Sequence, residues 1–383
     1  MKAITNINIV LIDSVIYDGV ILVDDGVIGE FGEREKIQIP EGAEIIDGGG
    51  NYAGPGLIDI HSHAGGDIWF YEDAQKAAEF HLHRGTTTIL PTLYYNMTQE
   101  ELLDGIETIK EASKTGAGRI IDGLYMEAPY LNPKYGADVE NNRWALGIKK
   151  EEYQPLIDAA APFAKVWCIA PEREGIERFV DDVKAKDEDA ILAVAHSEAS
   201  PDEIFRFIPQ GLILATHHTN ATGDLIKYPE VRGVCVDEAV NFSDDIYAEL
   251  IVDSRGIHVD PFMIRLVLKI KGKERIILIS DNCAFDGPVP EEGDYAGVTD
   301  LNFDHAGEIA GSKLSLDQAC KNMMKHTGAS LSDVFRYASY NPSLLLRMDN
   351  MGSIKKGNIA NIVIVNDKMD VQKVMFQGEF IDN

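Results

Sequence analysis

The sequence predicts an α/β protein: a (β/α)8 TIM-type barrel with a small β-sandwich domain formed by the N- and C-terminal segments. Three observations lead there. Between residues 54 and 345, short β-branched runs alternate with longer amphipathic stretches, the pattern of parallel strands joined by crossover helices. The polar residues of this region cluster just past the C-terminal ends of its candidate strands, where barrels of this type build their active sites. Residues 1–53 and 346–383 instead hold short Val and Ile runs between turn signals, as a small β unit would.

At 383 residues the chain exceeds the length at which one core usually stops growing, so one large domain and one small one are expected. In the N-terminal segment the runs are Asn8-Ile9-Val10-Leu11 and Val20-Ile21-Leu22-Val23, punctuated by Asp25-Gly26, Gly32 and Gly48-Gly49-Gly50. At the far end Ile362-Val363-Ile364-Val365 and Val374-Met375-Phe376 repeat the style, so the two ends are expected to pair. Inside the barrel region the candidate strands are 57–60, 87–90, 120–125, 166–170, 191–195, 212–215, 250–252 and 276–279. The segments 71–83, 101–113, 174–186 and 261–270 read as helices between them.

Composition excludes several function classes. A hydrophobic fraction of 45% with 26% charged residues belongs to a globular chain able to bury a sizeable core. The net charge of −28 repels nucleic acid and anionic membrane surfaces, and an anionic substrate would need a local cationic pocket. The N-terminus lacks a basic region followed by a long apolar stretch, and no apolar run approaches a membrane span, so a cytoplasmic location is expected. Cys168, Cys235, Cys283 and Cys320 lie far apart with no CxxC pair, which suits reduced, buried thiols.

The chemistry-bearing residues follow the strands. His61-Ser62-His63 comes after the first, and on an extended backbone residues two apart point the same way, so both imidazoles can face one metal. Glu127 follows the third strand, His196 the fifth, Thr216-His217-His218-Thr219-Asn220-Ala221 the sixth and Ser280-Asp281-Asn282 the eighth. Each alone reads more readily as a hydrogen-bonded core or loop residue. Their joint placement on one barrel face points to a site, and neutral imidazole with carboxylate suits zinc, iron or manganese at an open catalytic centre. Other features read more plainly. His81 and His83 end a candidate helix, His305 and His326 carry no supporting motif, and the acidic string from Asp181 to Asp189 is a solvated face. Trp69, Phe70 and Tyr71 either line the pocket or pack on the barrel rim.

Taken in order, these motifs resemble the amidohydrolase superfamily, and within it the N-acetylglucosamine-6-phosphate deacetylase-like branch. The resemblance covers nearly the whole chain. It rests on Pro55-Gly56-Leu57-Ile58-Asp59-Ile60-His61-Ser62-His63, Met126-Glu127-Ala128-Pro129, Ala195-His196-Ser197, Thr216-His217 with Asn220-Ala221, the segment from Asp253 to His258, Ser280-Asp281 and Ala310-Gly311-Ser312. A glutamate after strand three, in place of a modified lysine at strand four, sets the chain apart from hydantoinase-like relatives.

The resemblance implies one or two divalent transition-metal ions (zinc, iron or manganese). Glu127, His196 and His217 would hold the principal ion, with His61 and His63 available for a second and Glu127 to bridge. His218 is the less suited of its pair. Asp281 matches the catalytic carboxylate, and Asn220, Ala221 and His258 match substrate-contacting positions. The implied reaction is hydrolysis of an amide: deacetylation of an N-acetyl amino sugar phosphate to an amine and acetate. A homodimer is implied as well, since the family's substrate site can borrow a side chain from a neighbouring subunit. Two departures bear on the substrate. Where relatives carry Gly-Ala-His the chain has Gly136-Ala137-Asp138, and where they carry a phosphate-gripping arginine its nearest cation is Lys227. Asp138 and Lys227 therefore stand as candidate substrate-binding residues. Deacylation of a different, non-phosphorylated N-acyl amine, or a catalytically silent ligand-binding protein on this scaffold, are the alternatives.

Overall fold

The β-branched runs of the middle region form eight parallel strands in a computed structural model, which describes every residue except Asp138, Asp224, Leu225, Asp294 and Asn383. The strands are Leu57–Ser62, Thr86–Tyr94, Leu124–Glu127, Ala164–Ile169, Ile191–Val194, Leu212–Ala215, Tyr247–Ile251 and Ile276–Ile279, and they neighbour one another in chain order. Register pairs such as Tyr125 with Thr92, Val166 with Ile191 and Leu250 with Leu278 are all parallel. At the C-terminal rim the last strand meets the first: Asp281 donates its backbone N–H to the His61 carbonyl and His63 donates to that of Asn282, both at 2.9 Å. The curled sheet is thereby a nearly closed (β/α)8 barrel. Most strand residues are buried on both faces, which is why they read as continuous apolar runs rather than alternating ones.

Helices fill the connections. Gln99–Ala112 starts with a capping box in which the Thr98 hydroxyl accepts from the Glu101 amide and the Glu101 carboxylate accepts from that of Thr98. Pro261–Lys271 has proline in its first turn and the Asp260 carboxylate accepting from the Phe262 amide at 2.7 Å. Phe70–Leu82 and Ile176–Lys186 match the remaining expected helices within two residues, the latter delayed by Gly175 in the left-handed region.

Three strands differ from expectation, the second among them, which was expected over 87–90 and runs on to Tyr94. The third was expected over 120–125, but Gly116–Ile120 forms a 3-10 turn and the strand runs Leu124–Glu127. Gly116 at φ 57° and the neighbouring Gly118 permit that turn, which buries the β-branched Ile120, while Ile121 just beyond it is extended and makes an isolated parallel bridge to Ile89. The seventh strand was expected over 250–252 and begins at Tyr247. Glu249 interrupts its apolar run in the sequence, yet the side chain is wholly buried.

The terminal segments form a separate eight-stranded sheet. Its order is Glu379–Phe380, Val371–Phe376, Ile362–Val365, Tyr52–Pro55, Lys2–Val10, Val15–Asp24 and Val27–Glu33, with Glu44–Asp47 also paired to Lys2–Val10. The two ends of the chain join where Ile362 pairs with Pro55 and Ile364 with Ala53, antiparallel. Asp25-Gly26, both at positive φ, makes the two-residue hairpin that its sequence advertised. Ile4, Ile7, Ile9, Ile21, Ile362, Ile364 and Met375 share one buried cluster on this sheet. By contacts the chain divides into two compact units, one comprising 1–59, 80–88 and 315–383 and the other 60–79 and 89–314. Among the described residues no helix is long and apolar enough to cross a membrane.

Candidate metal centre and substrate cavity

Strand termini position the site. His61 and His63 project from the end of the first strand while the intervening Ser62 faces away, its amide donating to Thr92 Oγ1 at 3.1 Å. Tyr125 stacks on the His61 ring at 4.5 Å between centroids. Glu127 is the last residue of the third strand. His196, His217 and Asp281 stand just beyond the fifth, sixth and eighth strands at φ 41°, 30° and 46°. That left-handed conformation is uncommon outside glycine but is best tolerated by His, Asn and Asp, and it turns each side chain inward as the strand gives way to its loop.

Two trios of donors result: Glu127 with His196 and His217, and His61 with His63 and Asp281. In the first, Glu127 Oε1 lies 2.7 Å from His196 Nε2 and 3.0 Å from His217 Nε2, and the two nitrogens are 3.1 Å apart. In the second, His61 Nε2 lies 3.4 Å from His63 Nε2 and 3.5 Å from Asp281 Oδ1, and His63 Nε2 is 3.3 Å from that oxygen. Donors bound tetrahedrally to one ion at about 2.0–2.1 Å stand about 3.4 Å from each other. The second trio has that spacing and the first is slightly tighter. Glu127 belongs to both, since its Oε2 lies 3.1 Å from His63 Nε2 and 3.8 Å from His61 Nε2. Imidazole and carboxylate donors of this kind fit zinc, iron or manganese.

Electrostatics favour a cation here. Burial alone would raise the Glu127 carboxyl, but the charge and hydrogen bond of His196, with those of His217 and His61, hold it well below the ordinary carboxylate range. Asp281 is likewise pushed up by burial and drawn further down by His61 and His63. Burial opposes a charged His61, yet Asp281, Glu127 and Glu249 outweigh it and raise the ring well above an ordinary histidine.

The centre floors a cavity of about 280 Å³. Trp69, Tyr94 and Phe285 form one wall, with Trp69 and Tyr94 stacked at 5.6 Å and Phe285 edge-on to Trp69 at 4.9 Å. Asn220, Ala221 and His258 line it as well. Gly136 closes against His196: at φ 110°, a Cβ there would lie 2.2 Å from Tyr95 Oη and 2.5 Å from His196 Nδ1. Cys283 also reaches the cavity, and burial pushes its thiol well above the ordinary value.

The structure therefore brings His61, His63, Glu127, His196, His217 and Asp281 together, with Asn220, Ala221 and His258 on the walls. Lys227 is not brought there. It lies exposed in the hairpin Ile226–Tyr228 with Val231–Arg232 and is not among the described residues that line the cavity. Asp138 lies outside the described residues. His218 is buried away from the trios, with Nε2 3.2 Å from Asn241 Oδ1, and burial lowers its pKa to about 4. Of the aromatic triplet, Trp69 lines the cavity, Tyr71 stacks behind it at 5.6 Å and Phe70 is packed in the core. Glu249 escaped the sequence reading. Its Oε2 lies 3.1 Å from His61 Nδ1, and its only sequence signal was a charge inside an apolar β run.

Comparison with known proteins identifies the family. A profile of the Amidohydrolase family matches residues 52–381. The chain is 26% identical to the N-acetylglucosamine-6-phosphate deacetylase of Haemophilus influenzae over 97% of its own length and 99% of the relative's. It is 28% identical to the N-acetylgalactosamine-6-phosphate deacetylase of Escherichia coli O157:H7, covering 85% and 86%. The crystal structure of N-acetylglucosamine-6-phosphate deacetylase from Pasteurella multocida superposes with a TM-score of 0.84 at 28% identity, covering all of both chains. The profile match spans most of the chain and includes every residue of both donor trios, and the protein accordingly belongs to the amidohydrolase family.

Proposed function

We propose that the protein is a metal-dependent deacetylase of N-acetyl amino sugar phosphates, releasing acetate and the free amine. The observation that carries this reading is the convergence of two His-carboxylate trios, bridged by Glu127, on the floor of a sugar-sized cavity. The relatives that act on 6-phosphorylated N-acetylglucosamine and N-acetylgalactosamine support the substrate class.

In this reading Glu127, His196 and His217 would hold one divalent ion, with His61 and His63 available for a second and Glu127 for both. Zinc, iron or manganese so bound supplies Lewis acidity and lowers the pKa of water from about 16 towards about 7. Asp281, at the cavity floor, accepts the proton of the attacking water and returns it to the amide nitrogen, which otherwise leaves poorly as an amine. His258 directs Nε2 to the substrate while Asp253 grips Nδ1 at 3.3 Å. Asn220 and Ala221 contact polar groups of the sugar, and the wall of Trp69, Tyr94 and Phe285 packs on an apolar ring face. Asp138 is proposed to meet a hydroxyl or cationic group of the substrate. We place the protein in the cytoplasm as a homodimer.

A specific observation favours a second reading, deacylation of a non-phosphorylated N-acyl amine: no Lys or Arg is among the described residues lining the cavity. A phosphate bound there would take its cation from a second copy of the chain. An acetate-release assay across N-acetylglucosamine-6-phosphate, N-acetylgalactosamine-6-phosphate and their unphosphorylated forms decides. At least tenfold higher kcat/KM for a phosphorylated sugar is expected. Preference for the neutral sugars replaces the first reading with the second, and no acetate from any of them removes both.

A further inference from the structure

Glu249 sits in the middle of Tyr247–Ile251, a strand whose every residue is buried, and its own side chain is inaccessible to solvent. A carboxylate in such a place is unfavourable unless donors meet it, and a hydrocarbon of similar size would otherwise pack there better. Two donors converge on one of its oxygens. His61 Nδ1 lies 3.1 Å from Oε2, and the backbone N–H of His217 donates to the same oxygen at 3.1 Å. The main chain of Glu249 joins in, since its carbonyl accepts from the His218 amide at 2.8 Å.

The two donors belong to different halves of the metal centre, His61 to the trio with His63 and Asp281, His217 to the trio with Glu127 and His196. The first contact settles a tautomer. With the proton on Nδ1 and donated to Glu249, the lone pair of His61 Nε2 is left facing His63 and Asp281. The second contact pins the backbone of His217 in its left-handed turn, from which the side chain reaches Glu127. A carboxylate that orients a metal-ligating imidazole through its remote nitrogen is a recurrent device of metal sites, and removing one typically weakens metal affinity 10–100-fold.

We propose that Glu249 is a positioning residue of the metal centre, orienting His61 for the second ion and tying the two trios together through one oxygen. This rests on the two-ion centre of the proposed function, but not on the identity of the substrate. The test is zinc content per chain after reconstitution with Zn²⁺ and dialysis against a graded series of chelators. Wild-type protein, Glu249→Leu, Glu249→Gln and His61→Asn are compared, and Co²⁺-substituted samples of each are read by visible absorption. The wild type is expected to hold two ions, and Glu249→Leu to release one of them at 10–100-fold lower chelator strength, with the cobalt spectrum of His61→Asn. Glu249→Gln, which keeps the shape and an acceptor oxygen, should fall between. A wild type holding fewer than two ions overturns the proposal, as does Glu249→Leu holding both at wild-type strength. Equal loss of both ions in Glu249→Leu with Glu249→Gln indistinguishable from wild type indicates packing alone and also overturns it. Two ions and the expected variant pattern without acetate release would instead remove the deacetylase reading and leave this one in place.

Discussion

Asp253 Oδ2 lies 2.7 Å from the backbone nitrogen of His258 and 3.3 Å from its ring Nδ1, so one carboxylate oxygen sets both the main chain and the side chain of that histidine. The carboxylate also accepts from the amides of Arg255 and Ile257. The effect is to fix the remaining ring nitrogen of a cavity-lining residue, as an acceptor when the ring is neutral and a donor when it is protonated.

Asp253→Asn should therefore loosen substrate binding and the loop together. KM is expected to rise about tenfold, and stability at neutral pH to fall by about 2 kcal/mol, the scale of one hydrogen bond to a charged group. Burial pushes the Asp253 carboxyl up, but His258 and the amides of Ile257 and His258 outweigh it and hold it below the ordinary carboxylate range. Its folded-state pKa is thus lower than its unfolded one. The stabilisation is complete above about pH 4, where the unfolded carboxyl is ionised, and fades as pH falls through the lower folded value. Melting temperatures of wild type and variant, compared from pH 7 to pH 3, should keep a constant gap down to about pH 4 and draw closer, without meeting, below it; a gap that is constant across the range would refute the ionic account.

Asp281→Asn keeps the shape of the side chain and removes its ability to accept a proton. A fall in kcat of about 10²-fold or more is expected in the acetate-release assay, the usual scale of general acid-base catalysis. Because Asp281 Oδ1 also stands 3.3 Å from His63 Nε2, zinc content should drop by no more than one ion per chain. Near-native turnover would move the proton transfer to another group.

Gly136→Ala tests the contact between the loop after the third strand and His196. The added methyl collides with Tyr95 Oη and with the imidazole, at a backbone angle of 110° that alanine rarely adopts. Displacing His196 by even an ångström should lower kcat by about 10²-fold. Retention of wild-type activity and metal content would show that the loop yields without moving the histidine.

Trp69→Leu should remove the stacking partner of Tyr94 while leaving both donor trios intact. KM is expected to rise about tenfold, corresponding to about 1.4 kcal/mol of lost aromatic contact, with kcat changed much less. An unchanged KM would place the sugar ring against a different wall.

Particular residues show where the sequence was readable. The barrel announced itself through runs buried on both faces, and His61, Glu127, His196, His217 and Asp281 through their places at strand ends, where a polar residue after an apolar run marks the rim. Glu249 lacked that signal. It lies within its strand, and alternation tells which residues share a face but not whether that face looks into the barrel. Lys227, named as the nearest cation to the place of the relatives' arginine, lies exposed in its hairpin and outside the described lining of the cavity. The early start expected for the third strand came from counting Ile120 as extended, when the glycines before it permit a tighter turn, and from the break between the isolated bridge at Ile121 and the strand that starts at Leu124.

The positive φ angles of His196, His217 and Asp281 have a consequence for redesign. Exchanging donors to change metal preference, for example installing cysteine to favour a softer ion, is usually regarded as a question of donor chemistry and distance. At these three positions the backbone sets a second condition, because ordinary L-residues disfavour the left-handed region by about 1–2 kcal/mol, whereas asparagine and aspartate enter it more readily. Libraries built at 196, 217 and 281 should therefore recover oxygen donors more often than thiols, even where a thiol would bind the ion more tightly. At 61, inside the strand, and 63, just past its end, φ is not positive and that filter is absent, which makes the HxH pair the place to begin altering metal preference.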